Sequence, residues 1–306
     1  MTDLLTPQFV GVDWGTSSFR LWVMSVDGAI LAERRSAEGM SATDATAFKG
    51  VLDQHLSALK IPEDIPVLIC GMAGSKQGWV DAGYTNIPTL LVEVSQSAVT
   101  VPSSTRDVRI LPGIANADPR QPNVMRGEET QLIGAIPTDF TGFVCQPGTH
   151  SKWVRFENGR LTNFLTFMTG ELYSVLTKHS ILRHSMAGEK TTGFSLEAFE
   201  NALNSSKKNP MCFMSSLFQI RSSDLLQTHP KQDGSEQLSG LLIGTELAEI
   251  AQRFPNLSRV VLIASGLQAK LYQAGLRQFG LEVDNVDADE AVKKGLLIAA
   301  RRIWNF

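Results

Sequence analysis

Asp13, Gly15, Thr16, Ser17 and Ser18 lie between two apolar runs, Phe9-Val10-Gly11-Val12 before and Phe19-Arg20-Leu21-Trp22 after. A glycine lets backbone approach a ligand. The N–H groups and hydroxyls of Thr16, Ser17 and Ser18 can donate to phosphate oxygens, and a carboxylate at a strand end can hold a hydrated Mg²⁺. The same residues also make an ordinary hairpin turn. A second copy favours the phosphate reading. A shift of 133 positions lays Gly148-Thr149-His150-Ser151 over Gly15-Thr16-Ser17-Ser18, with Phe143-Val144-Cys145 before and Trp153-Val154 after. Each copy then runs into a hairpin signal, Asp27-Gly28 or Asn158-Gly159. A period this long is not a solenoid. It reads as two similar domains, each opening with a three-stranded antiparallel meander, their phosphate turns opposed across a cleft.

Other chemistry-bearing residues cluster at predicted element ends. Pro66-Val67-Leu68-Ile69-Cys70 is a buried-strand pattern ending at Gly71, which places Met72, Ala73, Gly74, Ser75 and Lys76 where ligand crevices of parallel sheets form. Taken alone, Gly74-Ser75 is a surface turn. Trp79 and Tyr84 either close over a ligand or belong to the core. Arg126-Gly127-Glu128-Glu129 opens a helix whose apolar positions are Leu132, Ile133 and Ala135. Acidic residues suit a first helical turn, whereas Arg126 is either a carboxylate fork or a surface partner of the glutamates. Lys152 reaches phosphate or points to solvent. His150, without Cys, His or Asp at ligand spacing, is read as loop packing or a phosphate hydrogen bond. Val260-Val261-Leu262-Ile263-Ala264 is a buried strand, and Ser265-Gly266-Leu267 opens the helix after it.

Between these points, Ser41 and Asp44 are expected to cap a helix of about 18 residues carrying Phe48, Val51, Leu52, Leu56 and Leu59. Val108 to Gly113 is expected to be the last strand of the first domain, and Asn116 to Pro122 a linker. Thr169 is expected to cap a helix from Gly170 to Lys178. Residues 185–232 read as a helical insertion at the cleft rim or in a homodimer contact. Within it, Met186 to Thr191 lacks the first glycine and the Gly-Lys pair of a Walker A loop. A helix from Leu238 to Phe254, with Leu241, Leu242, Thr245, Leu247, Ala248 and Ala251 inward, stops at Pro255. After a strand from Glu282 to Val286, Asp287 and Glu290 cap a final helix, Ala291 to Ile303, expected at the interdomain hinge.

The chain has 306 residues and 43% apolar content, enough for two cores. A net charge of −3 and a pI near 6.0 provide no basic field for nucleic acid or an anionic membrane. No run approaches the roughly 18 apolar residues of a membrane span, and Met1 to Pro7 lacks the features of an export signal. A cytoplasmic location is expected. Cys70, Cys145 and Cys212 show no metal spacing and receive no role.

Four blocks in one order, Gly71 to Trp79, Met125 to Gln131, Pro147 to Trp153 and Phe167 to Leu172, resemble the 2-dehydro-3-deoxygalactonokinase family of the actin, Hsp70 and sugar-kinase superfamily. The resemblance implies an α/β fold of two ribonuclease-H-like, actin-like ATPase domains, 1–118 and 119–306, with ATP and Mg²⁺ in an interdomain nucleotide cleft. It implies phosphorylation of 2-dehydro-3-deoxy-D-galactonate on its C6 hydroxyl, in galactonate catabolism. In glycerol-kinase-like relatives a Gly-Asp-Gln segment opens a helix before the second phosphate strand and supplies the base. Gly127-Glu128-Glu129 stands in that place, so Glu128 is the first choice, Glu129 the second and Asp13 a rival. The change from Asp to Glu adds a methylene that moves the carboxylate by more than about an ångström, which matters for in-line geometry. By the same resemblance Gly15, Thr16, Ser17, Ser18, Gly148, Thr149, His150, Ser151 and Lys152 hold phosphate, and Ser265 and Gly266 adenosine. Asp13 holds the metal, while Met72 to Lys76 and Arg126 meet the sugar acid. A kinase of another sugar or sugar acid on the same fold, a phosphohydrolase and a nucleotide-gated scaffold remain alternatives. The last of these would need a tail longer than Ala300 to Phe306 to reach a membrane.

Overall fold

The computed structural model describes residues 6–44, 46–102, 104–186, 194–228 and 233–306. By its contacts the chain forms two compact units, Met1–Gly142 with Val154–Phe164 and Val286–Phe306, and Phe143–Trp153 with Leu165–Asn285.

In the first unit, β1 (Phe9–Trp14), β2 (Phe19–Met24) and β3 (Ile30–Ser36) form the expected antiparallel meander, with Gly28 at φ +94° in the first hairpin. Helix α1 (Phe48–Ala58) then leads to β4 (Val67–Gly71), which pairs parallel with β1. β5 (Tyr84–Asn86), β6 (Thr89–Leu90), α2 (Leu91–Gln96), β7 (Val99–Thr100) and β8 (Val108–Ile110) follow, and the main sheet has the order β3-β2-β1-β4-β8-β7. Strand alternation divides its side chains. Val10, Val12 and Trp14 pack with Phe48, Leu52 and Leu56 of α1 on one face. Phe9, Trp22 and Cys70 meet Val292, Leu296 and Ala299 of the last helix, α10 (Ala288–Trp304), on the other.

The structure corrects the sequence reading at three places in this unit. Helix α1 has 11 residues rather than about 18, and no side chain caps it. The Asp44 carboxylate instead accepts from Thr46 N at 2.9 Å and Thr46 Oγ1 at 2.7 Å, a local turn, while Ser41 N donates to Thr16 O at 2.9 Å. The stretch expected as a linker is the loop of a hairpin between β9 (Gly113–Asn116) and β10 (Asn123–Met125), so β8 is not the last strand. These strands join β5 in a small sheet, β10-β9-β5, and the boundary expected at 118/119 falls inside that loop. Of the residues expected to cap the last helix, Asp287 accepts from Asp289 N and Glu290 N, whereas Glu290 pairs with Lys293.

Helix α3 (Glu128–Ala135) follows β10. β11 (Gly142–Gln146), β12 (Ser151–Glu157) and β13 (Arg160–Phe167) come next. The tip of their hairpin counts with the first unit, where Asn158 (φ +50°) and Gly159 (φ +76°) make the turn and Arg160 and Leu161 pair with Leu90 and Thr89.

The second unit contains α4 (Thr169–His179), α5 (Arg183–Met186), α6 (Leu196–Lys208), α7 (Phe213–Leu226), α8 (Gly234–Arg253), β14 (Arg259–Ile263), α9 (Gly266–Gln278) and β15 (Glu282–Val286). Its strands run β15-β14-β11-β12-β13, with β14 parallel to β11. The order β3-β2-β1-β4-β8 of the first sheet is thus repeated as β13-β12-β11-β14-β15, the duplication announced by the two glycine turns. The described parts of the 185–232 segment are helical, and Phe199 and Leu203 of α6 enter the core against Ile243 and Leu247 of α8. The Walker-like stretch lies largely outside the described residues. On α8 the inward face differs from expectation: Ala251 is exposed, Thr245 half-buried, and Glu246 fully buried. Among the described residues no helix is long and apolar enough to cross a membrane.

Candidate active site

In the first unit the carboxyl ends of β1 and β4 and the start of α3 converge. Gly71 makes this possible: at φ +91°, its backbone is one that side chains rarely adopt, and a Cβ there would stand 2.7 Å from Trp14 O and 3.3 Å from Asp13 Oδ1. A Cβ on Gly127 would in turn lie 3.5 Å from Gly71 Cα. Asp13, Gly71 and Gly127 are therefore packed in sequence. The turn after β1 closes through Gly15 N donating to Ser18 O at 2.9 Å, leaving Thr16, Ser17 and Ser18 exposed. Gly39 backs it so tightly that a Cβ would come within 2.4 Å of Ser18 N.

The two glutamates of α3 differ in environment. Glu128 is half-buried, and its Oε2 accepts from Arg126 N at 2.9 Å. Glu129 is fully buried, accepting from Gly127 N at 2.7 Å and from Thr130 Oγ1 at 3.2 Å. Burial, and then the charge of Glu128, push the Glu129 carboxyl up to about 8. Of the pair, only Glu128 is open in part to solvent.

Arg126 lies with its guanidinium carbon 4.4 Å from the centroid of the Tyr84 ring, and its Nη2 donates to Gly83 O at 2.8 Å. Its Nε and Nη1 are buried with no hydrogen-bond partner among the described residues. The 72–76 loop meets it here, since a Cβ on Gly74 would stand 2.8 Å from Nη1. Within that loop Ala73 and Ser75 are buried, Met72 is half-buried and Lys76 is exposed. Trp79 packs on Trp14 and Phe48 as a core residue, while Tyr84 is exposed.

The Asp13 carboxylate is engaged by Arg20, which also pairs with Asp289 of α10. Both Arg20 contacts fall on Asp13 Oδ2, and Oδ1 faces Gly71. Among the described residues no group of three His, Cys, Asp or Glu could hold a metal. Mg²⁺ bound with a triphosphate needs only one or two protein carboxylates, and Asp13 fits that lesser demand.

In the second unit a cavity of about 330 Å³ is lined by Gly148 and Thr149 of the repeated turn, Thr169 and Gly170 of α4, Glu236 and Leu242 of α8, and Leu267, Gln268 and Tyr272 of α9. Gly266, at φ +62°, begins α9 beside it, with open space where a Cβ would be. His150 hydrogen-bonds Glu171, and Lys152 is buried with Nζ donating to His150 O at 3.0 Å. Ser151, expected to face phosphate, has its hydroxyl buried 2.8 Å from Tyr272 Oη. Thr169, expected as a cap, donates its hydroxyl to Glu246, and Met168 takes the cap position without a side-chain bond. Sequence reasoning passed over Arg20, Glu236, Glu246, Tyr272 and Asp289. Only Arg20 carried a signal, as a charge inside an apolar strand.

Comparison with known proteins places the chain in a family. A family model described as 2-keto-3-deoxy-galactonokinase matches residues 13–299. "Probable 2-dehydro-3-deoxygalactonokinase DgoK1" of Rhizobium meliloti (strain 1021) is 48% identical over 97% of this chain and 97% of its own length. The 2-dehydro-3-deoxygalactonokinase of Escherichia coli (strain K12) is 31% identical over 98% of this chain and all of its own. A solved structure, "Crystal structure of a putative 2-dehydro-3-deoxygalactonokinase protein from Sinorhizobium meliloti", superposes with a TM-score of 0.93 at 47% identity, covering 97% of this chain and 100% of that one. The component A of (R)-2-hydroxyglutaryl-CoA dehydratase from Acidaminococcus fermentans, at 14% identity and a TM-score of 0.51 over 97% of this chain and 99% of its own, shares the fold alone. That fold is the α/β fold of the actin-like ATPases and sugar kinases, and the chain belongs to the 2-keto-3-deoxy-galactonokinase family.

Proposed function

We propose that this protein is an ATP-dependent kinase that phosphorylates 2-dehydro-3-deoxy-D-galactonate on its C6 hydroxyl. Family membership supports the reaction class, and the observation that carries the substrate class is Arg126. A buried guanidinium with Nε and Nη1 unpaired is costly unless an anion completes it. The substrate carboxylate is that anion. The exposed Tyr84 ring over the guanidinium is the part that gives way to admit it.

Glu128 accepts the proton of the acceptor hydroxyl as the phosphoryl group is transferred, with Glu129 holding the start of α3 from behind. The backbone N–H groups and hydroxyls of Thr16, Ser17 and Ser18, in the turn that Gly15 closes, bind phosphate oxygens, as do Gly148, Thr149 and Lys152. The adenosine occupies the cavity beside Gly266. Asp13 would hold Mg²⁺, which when bound neutralises phosphate charge and orients the oxygens.

The test is acceptor-dependent ADP release with ATP and Mg²⁺. Turnover with 2-dehydro-3-deoxygalactonate and not with neutral sugars is expected. Steady ADP release without acceptor would make the protein a hydrolase, and turnover with neutral sugars alone would discard the carboxylate site.

A further inference from the structure

Behind the cavity of the second unit, four elements meet at one buried carboxylate that does not itself line it. Glu246 of α8 accepts from Trp153 Nε1 of β12 at 2.8 Å on Oε1, and from Tyr272 Oη of α9 at 2.8 Å and Thr169 Oγ1 of α4 on Oε2. Since the single Tyr272 proton points to Glu246, Ser151 donates to the tyrosine oxygen at 2.8 Å. All five side chains are buried. Thr169 and Tyr272 are cavity-lining residues, and Ser151 directly follows the Gly148-Thr149-His150 turn.

We infer that Glu246 is a positioning residue for nucleotide binding. It fixes the Tyr272 wall, the first turn of α4 and, through Tyr272 and Ser151, the phosphate turn as one rigid unit. This rests on reading the cavity as the nucleotide site. Trp153 is a donor only, so Oε1 must accept from it. The remaining two hydroxyls then find an acceptor in the other oxygen; burial raises the Glu246 carboxyl, and the carboxylate form, which satisfies all three donors at once, is what these bonds favour against it. A glutamine would keep the oxygen toward Trp153 and turn its amide toward Thr169 and Tyr272. Those hydroxyls would then have to accept, and the Tyr272 proton would move to Ser151, reversing the chain behind the turn.

The experiment measures KM for ATP, KM for the sugar acid and kcat in Glu246→Gln and Tyr272→Phe, with folding checked by circular dichroism. The expected result is a rise of about tenfold in KM for ATP, the scale of one hydrogen bond to a charged group, with KM for the sugar acid and kcat at saturating ATP within about twofold. If Glu246→Gln does not fold, Tyr272→Phe decides by the same criterion. Unchanged KM for ATP in folded variants, or equal rises for both substrates, would overturn the inference. Leu242→Trp, which fills the cavity, separates the two claims. Loss of ADP binding by calorimetry supports the nucleotide reading, and wild-type ADP affinity overturns it together with the role of Glu246.

Discussion

A Cβ on Gly134 of α3 would stand 2.6 Å from the backbone nitrogen of Gly295 in α10, and one on Gly295 would stand 1.9 Å from Thr130 O. The two helices touch backbone to backbone. Because α10 is anchored on β1 and β4 through Val292, Leu296 and Ala299, this contact sets where α3 begins, and with it where Glu128 stands.

Replacing Gly295 by valine should therefore force the helices apart. Overpacking costs of about 1–3 kcal/mol predict a clear drop in Tm, and displacement of Glu128 predicts a fall in kcat larger than any change in KM for ATP. A Tm and kcat equal to wild type would contradict the contact.

Glu129 predicts a pH dependence of stability. Its folded carboxyl keeps its proton to about pH 8, whereas the unfolded chain loses it in the ordinary carboxylate range. Across that window the folded state binds more protons, so its stability falls as pH rises from about 5 to about 8, by an amount on the order of a few kcal/mol. Glu129→Gln keeps an acceptor for Gly127 N and cannot ionise. Its Tm should fall less than that of wild type over the same range, and parallel curves would contradict the assignment.

Glu128→Gln tests the base. Removing the proton acceptor should lower kcat by about 10²-fold or more while leaving KM for ATP within a few-fold. An unchanged kcat would take Glu128 out of the mechanism and return attention to Asp13.

Local signals carried much of this architecture. The two glycine turns, the hairpin pairs Asp27-Gly28 and Asn158-Gly159, and the apolar strands around Val67 to Gly71 and Val260 to Ile263 each depend on neighbours in sequence, and each is found within a residue of its expected place. Arg126 stood out because the preference of a first helical turn for acidic residues leaves an arginine unexplained, whereas Glu128 was singled out only by its place before the second glycine turn, through the family resemblance. Glu246 left no such trace. A glutamate between Thr245 and Leu247 looks like a solvent face, and only the meeting of Trp153, Thr169 and Tyr272 from three other elements gives it partners. The Asn116 to Pro122 loop misled for a related reason. Turn residues serve a linker and a hairpin equally well, and the pairing of Asn123 to Met125 with β9 is a tertiary fact. Asp44, likewise, spent its carboxylate on Thr46 rather than on a helix end.

The central claim is that Arg126 recognises the carboxylate of the acceptor. Its most direct test compares kcat/KM of wild type and Arg126→Met on 2-dehydro-3-deoxygalactonate and on the same compound with its carboxylate converted to a neutral carboxamide. The account predicts that wild type prefers the acid by about 10² or more, and that the variant loses this preference chiefly by losing the acid, as expected for a charge-assisted pair. An Arg126→Met variant that folds and still prefers the acid as strongly as wild type would show that the guanidinium only holds the Gly83 carbonyl and the Tyr84 ring, and the carboxylate site would have to be sought elsewhere.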